Sequence, residues 1–163
     1  MQRDAWYLSL SNRHHLTVAR QQVAEYLTRV TAYSVPGCNP HCNQLIQWRG
    51  RLVPLWGGEQ QTTQTQETQH AHVLVVSYED EAPALLALSL QEAPQPVQVR
   101  DEDQCLPSPE QEQYWQQAIL GCFQHREQPV PVIGFARLGS GSMDLGNQNQ
   151  ISVNKPYTNP LNR

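Results

Sequence analysis

The chain has 163 residues, a formal net charge of −4 and a charged fraction of only 16%. This length supports a single domain with its own apolar core, without metal ions or disulfide bonds to hold it together. The arginines are scattered rather than aligned in a basic stripe, which excludes a surface for nucleic acid. No run has the apolar length of a signal peptide or a membrane span, so we expect a cytoplasmic protein with reduced cysteines and no insertion into a membrane.

Two short apolar runs near the N-terminus predict a β-hairpin. They are Trp6–Leu10 and Leu16–Ala19, and a polar stretch of the kind that forms turns separates them. We therefore expect the chain to open with two antiparallel strands.

The next segment, residues 21–30, has the apolar spacing of a short helix. Val23, Leu27 and Val30 recur at intervals of four and three, which would place them on one buried stripe. Glu25 would lie away from this stripe, facing solvent or a partner.

The middle of the chain predicts a second hairpin and one buried strand. Leu45–Trp48 and Leu52–Leu55 are joined by a tight turn around Gly50. Residues 59–71 are rich in Gln, Thr and Glu, cannot bury much apolar area, and are expected to form a loop. His72–Tyr78 follows as a Val- and Leu-rich run, which predicts a strand covered on both faces.

The C-terminal half continues this β pattern. Ala84–Leu90 and Val97–Val99 are predicted strands, and the polar segment 110–118 predicts a loop or a helical turn. Ile119–Phe123 and Val130–Ile133 predict a closing hairpin.

A faint internal repeat links the two halves of the chain. Val53–Gly57 and Val130–Gly134 share a Val-Pro-apolar-apolar-Gly ending, and each follows a strand and a polar turn. Two related β modules packed side by side would produce this pattern, and so would a chance match of short apolar strings. Beyond the repeat, residues 139–163 are dominated by Gly, Ser, Asn, Gln and Pro, which predicts a disordered tail or an added segment.

Nine short stretches carry a resemblance to a known family. They are Val23–Glu25, Val35–Pro36, Pro40, Gln44–Gly50, Leu52–Leu55, Ala84–Leu90, Leu106–Pro109, Ile119–Gly121 and Phe135–Leu138. In this order they resemble the CheW-like domain family of bacterial chemotaxis signalling, over about Ala5 to Leu138. No single motif is specific, and the ordered set carries the resemblance. Its strongest part is an Arg-Gly pair followed by Val-Pro, at the right distance from an earlier Val-Pro turn.

The resemblance implies a mainly β fold of two small SH3-like five-stranded β-barrels packed around a shared core, with one or two short helices. The CheW-like domain would span residues 1–138. The resemblance further implies a scaffold without cofactor or metal, and not an enzyme. Such a domain couples a CheA-type histidine kinase of a two-component system to methyl-accepting chemoreceptors, or to the receptor of a type IV pilus chemosensory system. It would bind through exposed apolar surface and strand edges.

Five residues are candidates for a partner-binding surface. Arg49 and Gly50 form an Arg-Gly turn, on which a guanidinium can make two-pronged contacts with a partner carboxylate. The resemblance places Arg49, Val23 and Glu25 beside the receptor-binding surface, and Trp48 adds an aromatic anchor of the kind enriched in interfaces. The simpler alternatives are an Arg that ties the turn to its own loop, core packing for Val23 and Trp48, and a solvated charge for Glu25.

Two further readings stay open. Gly57 and Leu88 stand where the family usually has Asp, which leaves room for a degenerate regulator that binds only the kinase or only a receptor. A different alternative is a small metal-binding or cysteine-dependent enzyme domain that uses Cys38, His41 and Cys42. Their spacing matches no known zinc pattern, and a closed zinc site needs further ligands.

Overall fold

The computed structural model describes residues 1–35, 42–57 and 67–138. Within these ranges the named elements are β1 (Gln2–Ser9), β2 (His15–Ala19), β3 (Val23–Ser34), β4 (Gln44–Trp48), β5 (Arg51–Trp56), β6 (Glu67–Asp80), β7 (Ala82–Leu90), β8 (Gln95–Arg100), α1 (Pro109–Trp115), β9 (Ile119–His125) and β10 (Gln128–Ile133). Residues 135–138 add one helical turn. None of the helices in these ranges combines the length and the apolar character that a bilayer crossing needs.

Strands β3 to β7 form a closed five-stranded barrel in the order β3-β4-β5-β7-β6, with β6 pairing back to β3. The β4–β5 and β6–β7 pairs are antiparallel, whereas β5 and β7 run parallel with Leu55 opposite Ala87. Small and branched apolar side chains fill the interior: Ala32, Ile46, Val53, Leu55, Val73, Val75 and Ala87. Side chains of this size suit the narrow interior of a small barrel.

The other five strands form an open sheet in the order β8-β1-β2-β10-β9. Its pairing follows the same plan, because β1–β2 and β9–β10 are antiparallel while β2 and β10 run parallel at Thr17 and Val132. In the described residues β8 and β9 do not pair, so the sheet stays open where β3 and β4 close the barrel. The expected architecture is confirmed, with one five-stranded unit closed and the other open.

The two units share the larger of the two described cores. Its members are Leu8, Leu10, Leu16, Val18, Trp56, Leu74, Val76, Leu86, Leu88, Leu90, Trp115, Ala118, Ile133, Phe135 and Leu138. Helix α1 delivers Trp115 to this core and begins at Ser108, whose hydroxyl accepts a hydrogen bond from the Gln111 amide. Trp56 stacks on Trp115 with ring centroids 6.3 Å apart. Both tryptophans are therefore core residues and not exposed anchors.

Strand β6 confirms the prediction of a strand covered on both faces. Val73 and Val75 belong to the closed barrel's core, whereas Leu74 and Val76 belong to the shared core. Successive side chains of a strand point to opposite faces, so an unbroken apolar run suits a strand that lies between two cores. Strand β6 is thus the wall that separates the barrel interior from the shared core.

The prediction of a helix over residues 21–30 is wrong. The chain makes one 3-10 turn at Arg20–Gln22 and then continues as β3, which pairs with β6 along most of its length. The segment is also rich in β-branched and aromatic residues, which favour strands. Pairing with a neighbouring strand overrides local apolar spacing here, because the sheet satisfies the backbone and buries the same side chains.

Three other predictions concern loops and termini. The expected loop over residues 59–71 is too long at its C-terminal end, because β6 begins at Glu67. The polar segment 110–118 forms α1 and a following 3-10 turn, the helical one of its two alternatives. Residues 36–41, 58–66 and 139–163, which include the expected tail, lie outside the described residues.

The internal repeat has a structural counterpart. Strands β5 and β10, which carry the two Val-Pro motifs, each pair antiparallel with the preceding strand and parallel with a second strand. The third motif residue, Leu55 in one and Val132 in the other, lies opposite a residue of that parallel strand. This equivalence favours two related β modules over a chance match.

Candidate functional site

The Arg-Gly turn closes the β4–β5 hairpin. Trp48 and Arg51 form the last strand pair, which leaves Arg49 and Gly50 as a two-residue loop. Both have positive φ, 47° at Arg49 and 74° at Gly50, as the type I′ turns common in such hairpins require. Gly50 adopts this conformation without strain because it lacks a Cβ. The hairpin therefore presents the Arg49 side chain at its tip.

Trp48 forms the base of the site. It packs, half buried, against the closed barrel's core. Its indole Nε1 donates a hydrogen bond to Glu25 Oε2 at 2.5 Å. The guanidinium carbon of Arg49 lies 4.8 Å from the ring centroid, which is within the range of a cation–π contact. The indole is thus held at its edge by a carboxylate and covered on its face by a cation.

Glu25 also pairs with the cation above the indole. Its Oε2 lies 3.4 Å from Arg49 Nη2, and the two side chains are 37% and 67% exposed. Water screens such a pair, so its contribution to the free energy of unfolding is at most about 1 kcal/mol. The contact orients the guanidinium more than it stabilises the fold. We call Glu25, Trp48 and Arg49 the turn cluster.

Val23 packs away from the turn cluster. It is half buried against the shared core, where it begins β3 opposite Val76. The pairing register shifts between Val23 and Glu25, as it does at a β-bulge. The structure therefore joins Glu25, Trp48 and Arg49 beside Gly50, and it places Val23 in core packing.

Two exposed side chains near this surface were missed by sequence reasoning. Leu52, on β5 just after the turn, is 68% exposed. Tyr26, on β3, bonds through its hydroxyl to His72 Nδ1 on β6. The alternation of Leu52 with the buried Val53 was a signal in the sequence. Tyr26 gave no such signal as long as its segment was taken for a helix.

The alternative metal or cysteine site falls mostly outside the described residues. Cys38 and His41 belong to the stretch 36–41, and Cys42 is half buried. In the ranges that the structure does describe, no group of three or more His, Cys, Asp and Glu side chains is placed to hold a metal ion. The hypothesis based on Cys38, His41 and Cys42 therefore stays a prediction.

The two positions where the family usually has Asp are interior in this chain. Leu88 is fully buried in the shared core. Gly57 follows β5 with φ of 84°, and a Cβ there would lie 3.6 Å from the Leu10 side chain. A carboxylate at either place would be costly to bury without partners. These departures change interior packing more than exposed surface.

Comparison with known proteins bears on the fold. No protein-family model matches the chain, and no curated protein matches it in sequence. Among solved structures, the chain is similar to the scaffolding protein TtCheW from Thermoanaerobacter tengcongensis, with a TM-score of 0.58 and 14% sequence identity. The match covers 85% of this chain and 88% of that one. At this level of identity, the similarity shows a shared fold.

Proposed function

We propose that this chain is a non-enzymatic adaptor of bacterial chemosensory signalling. The observation that carries the proposal is the turn cluster, in which an exposed guanidinium is held over an indole by a carboxylate of the same chain. The cluster lies on a fold that the chain shares with a solved scaffolding protein. Binding through such a surface needs no cofactor and no chemical step.

The turn cluster is suited to gripping a partner. Arg49 offers a planar fork of N–H donors, and a partner carboxylate can compete with Glu25 for it. Trp48 beneath it supplies apolar area that a partner can cover, and the exposed Leu52 adds apolar area on the opposite face of the same hairpin. Arg and Trp are the residue types that most often dominate the energetics of protein interfaces.

The proposed partners are a CheA-type histidine kinase and a methyl-accepting chemoreceptor, or the receptor of a type IV pilus chemosensory system. The proposed binding unit is the domain over residues 1–138, acting in the cytoplasm. A scaffold of this kind holds its assembly together through several modest contacts, because the first contact raises the effective concentration for the next.

Arg49→Ala tests the proposal directly. Purified cytoplasmic fragments of the kinase and of the receptors encoded in the same genome are titrated with the wild type and the variant by calorimetry. We expect Arg49→Ala to weaken binding of at least one partner by about 10- to 100-fold, as the loss of a hot-spot residue does. The midpoint of thermal unfolding should change by less than about 3 °C, because the ion pair is exposed.

Arg126→Ala is the matched control, because Arg126 is exposed in the equivalent two-residue turn between β9 and β10 and does not border the turn cluster. It should bind like the wild type. Unchanged binding by Arg49→Ala, or an equal loss in both variants, would contradict the proposed role of the cluster. Wild-type protein that binds only the kinase or only the receptor fragments would identify the chain as the degenerate regulator.

A further inference from the structure

Cys105 and Cys122 lie side by side in the open half of the molecule. Their Sγ atoms are 3.5 Å apart, although the residues are separated by 17 positions in the sequence. The Cys105 amide donates a hydrogen bond to the Cys122 carbonyl at 3.0 Å. The neighbouring residues Gln104 and Phe123 form an antiparallel bridge. The backbone therefore holds the two thiols as opposite residues of a short antiparallel pair.

This geometry suits a disulfide bond. Opposite residues of a hydrogen-bonded antiparallel pair have Cα atoms about 5.5 Å apart, and this is close to the commonest Cα separation across a disulfide. The sulfur atoms need to approach by roughly 1.5 Å to reach the bonded distance of about 2.05 Å. Rotation about the Cα–Cβ bonds can supply this approach with little change in the backbone.

The thiol pair lies between the end of β8 and strand β9, which do not pair in the described part of the open sheet, whereas β3 and β4 pair at the equivalent place in the barrel. We call this unpaired edge the seam. In the barrel, β3 closes onto β4 through residue pairs that include Tyr33 and Leu45. The internal repeat makes Leu45 equivalent to Cys122, because each lies opposite the Pro of its Val-Pro motif. Cys105 therefore takes the place of Tyr33. A bond from Cys105 to Cys122 would close covalently the seam that strand pairing closes in the barrel.

The two thiols differ in burial. Cys105 is half buried, and the buried Cys122 borders a cavity of about 860 Å³ that is also lined by Thr17, Gln104 and Val132. Burial and the contact with Cys105 raise the pKa of Cys122 to about 12, so Cys122 is a protonated thiol at neutral pH. The thiolate is the attacking form, and the more exposed Cys105 therefore reacts first.

We propose that Cys105 and Cys122 form a reversible disulfide that locks the open sheet, with a low-molecular-weight disulfide, RSSR, as the oxidant. The Cys105 thiolate attacks one sulfur of RSSR, forms a mixed disulfide and releases RS⁻, which takes up a proton. Cys122 then gives up its proton, attacks the Cys105 sulfur and releases the second RS⁻. The two cysteines lose two electrons and two protons in total, and RSSR becomes two RSH.

The experiment uses the full chain with Cys38→Ser and Cys42→Ser, which leaves only the proposed pair of the four cysteines. The protein is equilibrated with oxidised and reduced glutathione, quenched by alkylation, digested and mapped by mass spectrometry. We expect peptides linked through residues 105 and 122. At one glutathione ratio, the equilibrium constant for forming the 105–122 disulfide should be roughly 100-fold or more larger in the folded chain than in the chain in urea. This is the size expected for a loop of this length.

Several outcomes decide the proposal. A further Cys105→Ser change should abolish the linked peptides and leave a single alkylated thiol. A folded chain that links no more readily than the urea-denatured chain would overturn the proposal, as would an oxidised form that unfolds at the same or a lower temperature than the reduced form. If the double variant does not fold, the wild-type chain is mapped instead, and a 105–122 link must then dominate over links to Cys38 or Cys42.

Discussion

The strands of the closed barrel and of the open sheet pair with their neighbours in the same spatial pattern, yet only the barrel is closed. Strand β3 has 12 residues and reaches both β6 and β4. Its counterpart β8 has 6 residues and pairs with β1. Beyond β8, the chain contacts β9 through the Gln104–Phe123 bridge, the hydrogen bond from the Cys105 amide and the paired thiols of Cys105 and Cys122. The comparison teaches that the length of one strand decides whether a five-stranded unit of this plan closes.

The interiors of the two units follow from this difference. The barrel is filled by apolar side chains, whereas the open sheet borders a cavity of about 860 Å³ next to Ala5, Thr17 and Phe123. A side chain that is surrounded on all sides loses more contacts on truncation than one that faces a cavity. The barrel should therefore depend on its own core, and the open sheet on the core that it shares with the barrel.

The largest expected effect comes from truncating equivalent residues in the two units. Ile46 and Phe123 lie opposite the Val of their respective motifs, and both are buried. We expect Ile46→Ala to lower the free energy of unfolding by about 3–4 kcal/mol, within the usual range for a core Ile. Phe123→Ala should cost less, about 1–2 kcal/mol, because Phe123 lines the cavity of the open sheet and has fewer packing partners there to lose. Urea unfolding of both variants measures the difference.

The order of these two effects is the critical result. By side-chain size alone, the Phe variant would be the less stable one, since Phe→Ala usually costs about 3–5 kcal/mol. A larger loss for Phe123→Ala than for Ile46→Ala would show that the open sheet is packed as tightly as the barrel.

An intermediate effect is expected from buried polar groups. Gln44 is buried beside the barrel and bonds through its amide to Thr68 Oγ1 and His70 Nε2, at 2.7 Å and 3.1 Å. Thr17 Oγ1, in the open sheet, is buried with no hydrogen-bond partner among the described residues. We expect Gln44→Leu to cost about 1–3 kcal/mol, because it removes two hydrogen bonds that a buried side chain makes to half-buried partners. Thr17→Val should be neutral or stabilising by up to about 1 kcal/mol.

The free energies of unfolding of both polar variants are measured in parallel by chemical denaturation. Thr17→Val keeps the shape of the side chain, so a loss of stability there cannot come from a cavity. A destabilised Thr17→Val variant would mean that the hydroxyl is satisfied in solution, and the contrast between the two units would fail at this point.

The smallest expected effect is a difference in pH dependence. Burial lowers the pKa of His70 below its ordinary value of 6.5, and its ring contacts Gln44 and Ser89. As the pH falls through about 6.5, the unfolded chain takes up a proton there before the folded chain does, so stability is lost on acidification. Above that pH, His70 does not make the free energy of unfolding depend on pH.

To test this, the free energy of unfolding is measured at about pH 7.5 and about pH 5.5 for the wild type, His70→Gln and His125→Gln. Burial, followed by the charge of Arg126, lowers the pKa of His125 on β9 as well. We expect His70→Gln to remove the larger part of the acid loss, because His70 lies among buried polar groups of the barrel. If the His70→Gln variant loses as much stability between these two pH values as the wild type does, the assignment to His70 is refuted.

The failed helix shows where local pattern reasoning stops. Val23 and Leu27 are four residues apart, a spacing that keeps two side chains on one face in a helix and in a regular strand. The register shift between Val23 and Glu25 breaks this rule in β3, so Val23 packs against the shared core and Leu27 against the barrel core. Val30 would then point to the other face of a regular strand. Arg29, however, has φ of 56°, and the alternation of burial breaks at this residue. The three apolar positions that would share one stripe in a helix are thus divided between two cores in the strand, which only the pairing with β6 decides.

The candidate site shows the same limit. The Arg-Gly turn and the neighbouring Trp48 were visible because a two-residue turn between apolar strands is a local signal. Glu25 was expected to face solvent or a partner, but its contacts with Trp48 and Arg49 depend on the closure of the barrel. The approach of Cys105 to Cys122 was not foreseen, because it needs the register of β9 against the segment after β8.

The sequence by itself determined the mainly β class and most of the strands, because alternation, apolar runs and turn residues act within a few positions of the chain. The tertiary structure alone decided which module closes, which side chains form the turn cluster and which cysteines meet. The physical reason is that a strand finds its hydrogen-bonding partners far along the chain, so register and closure depend on the whole fold.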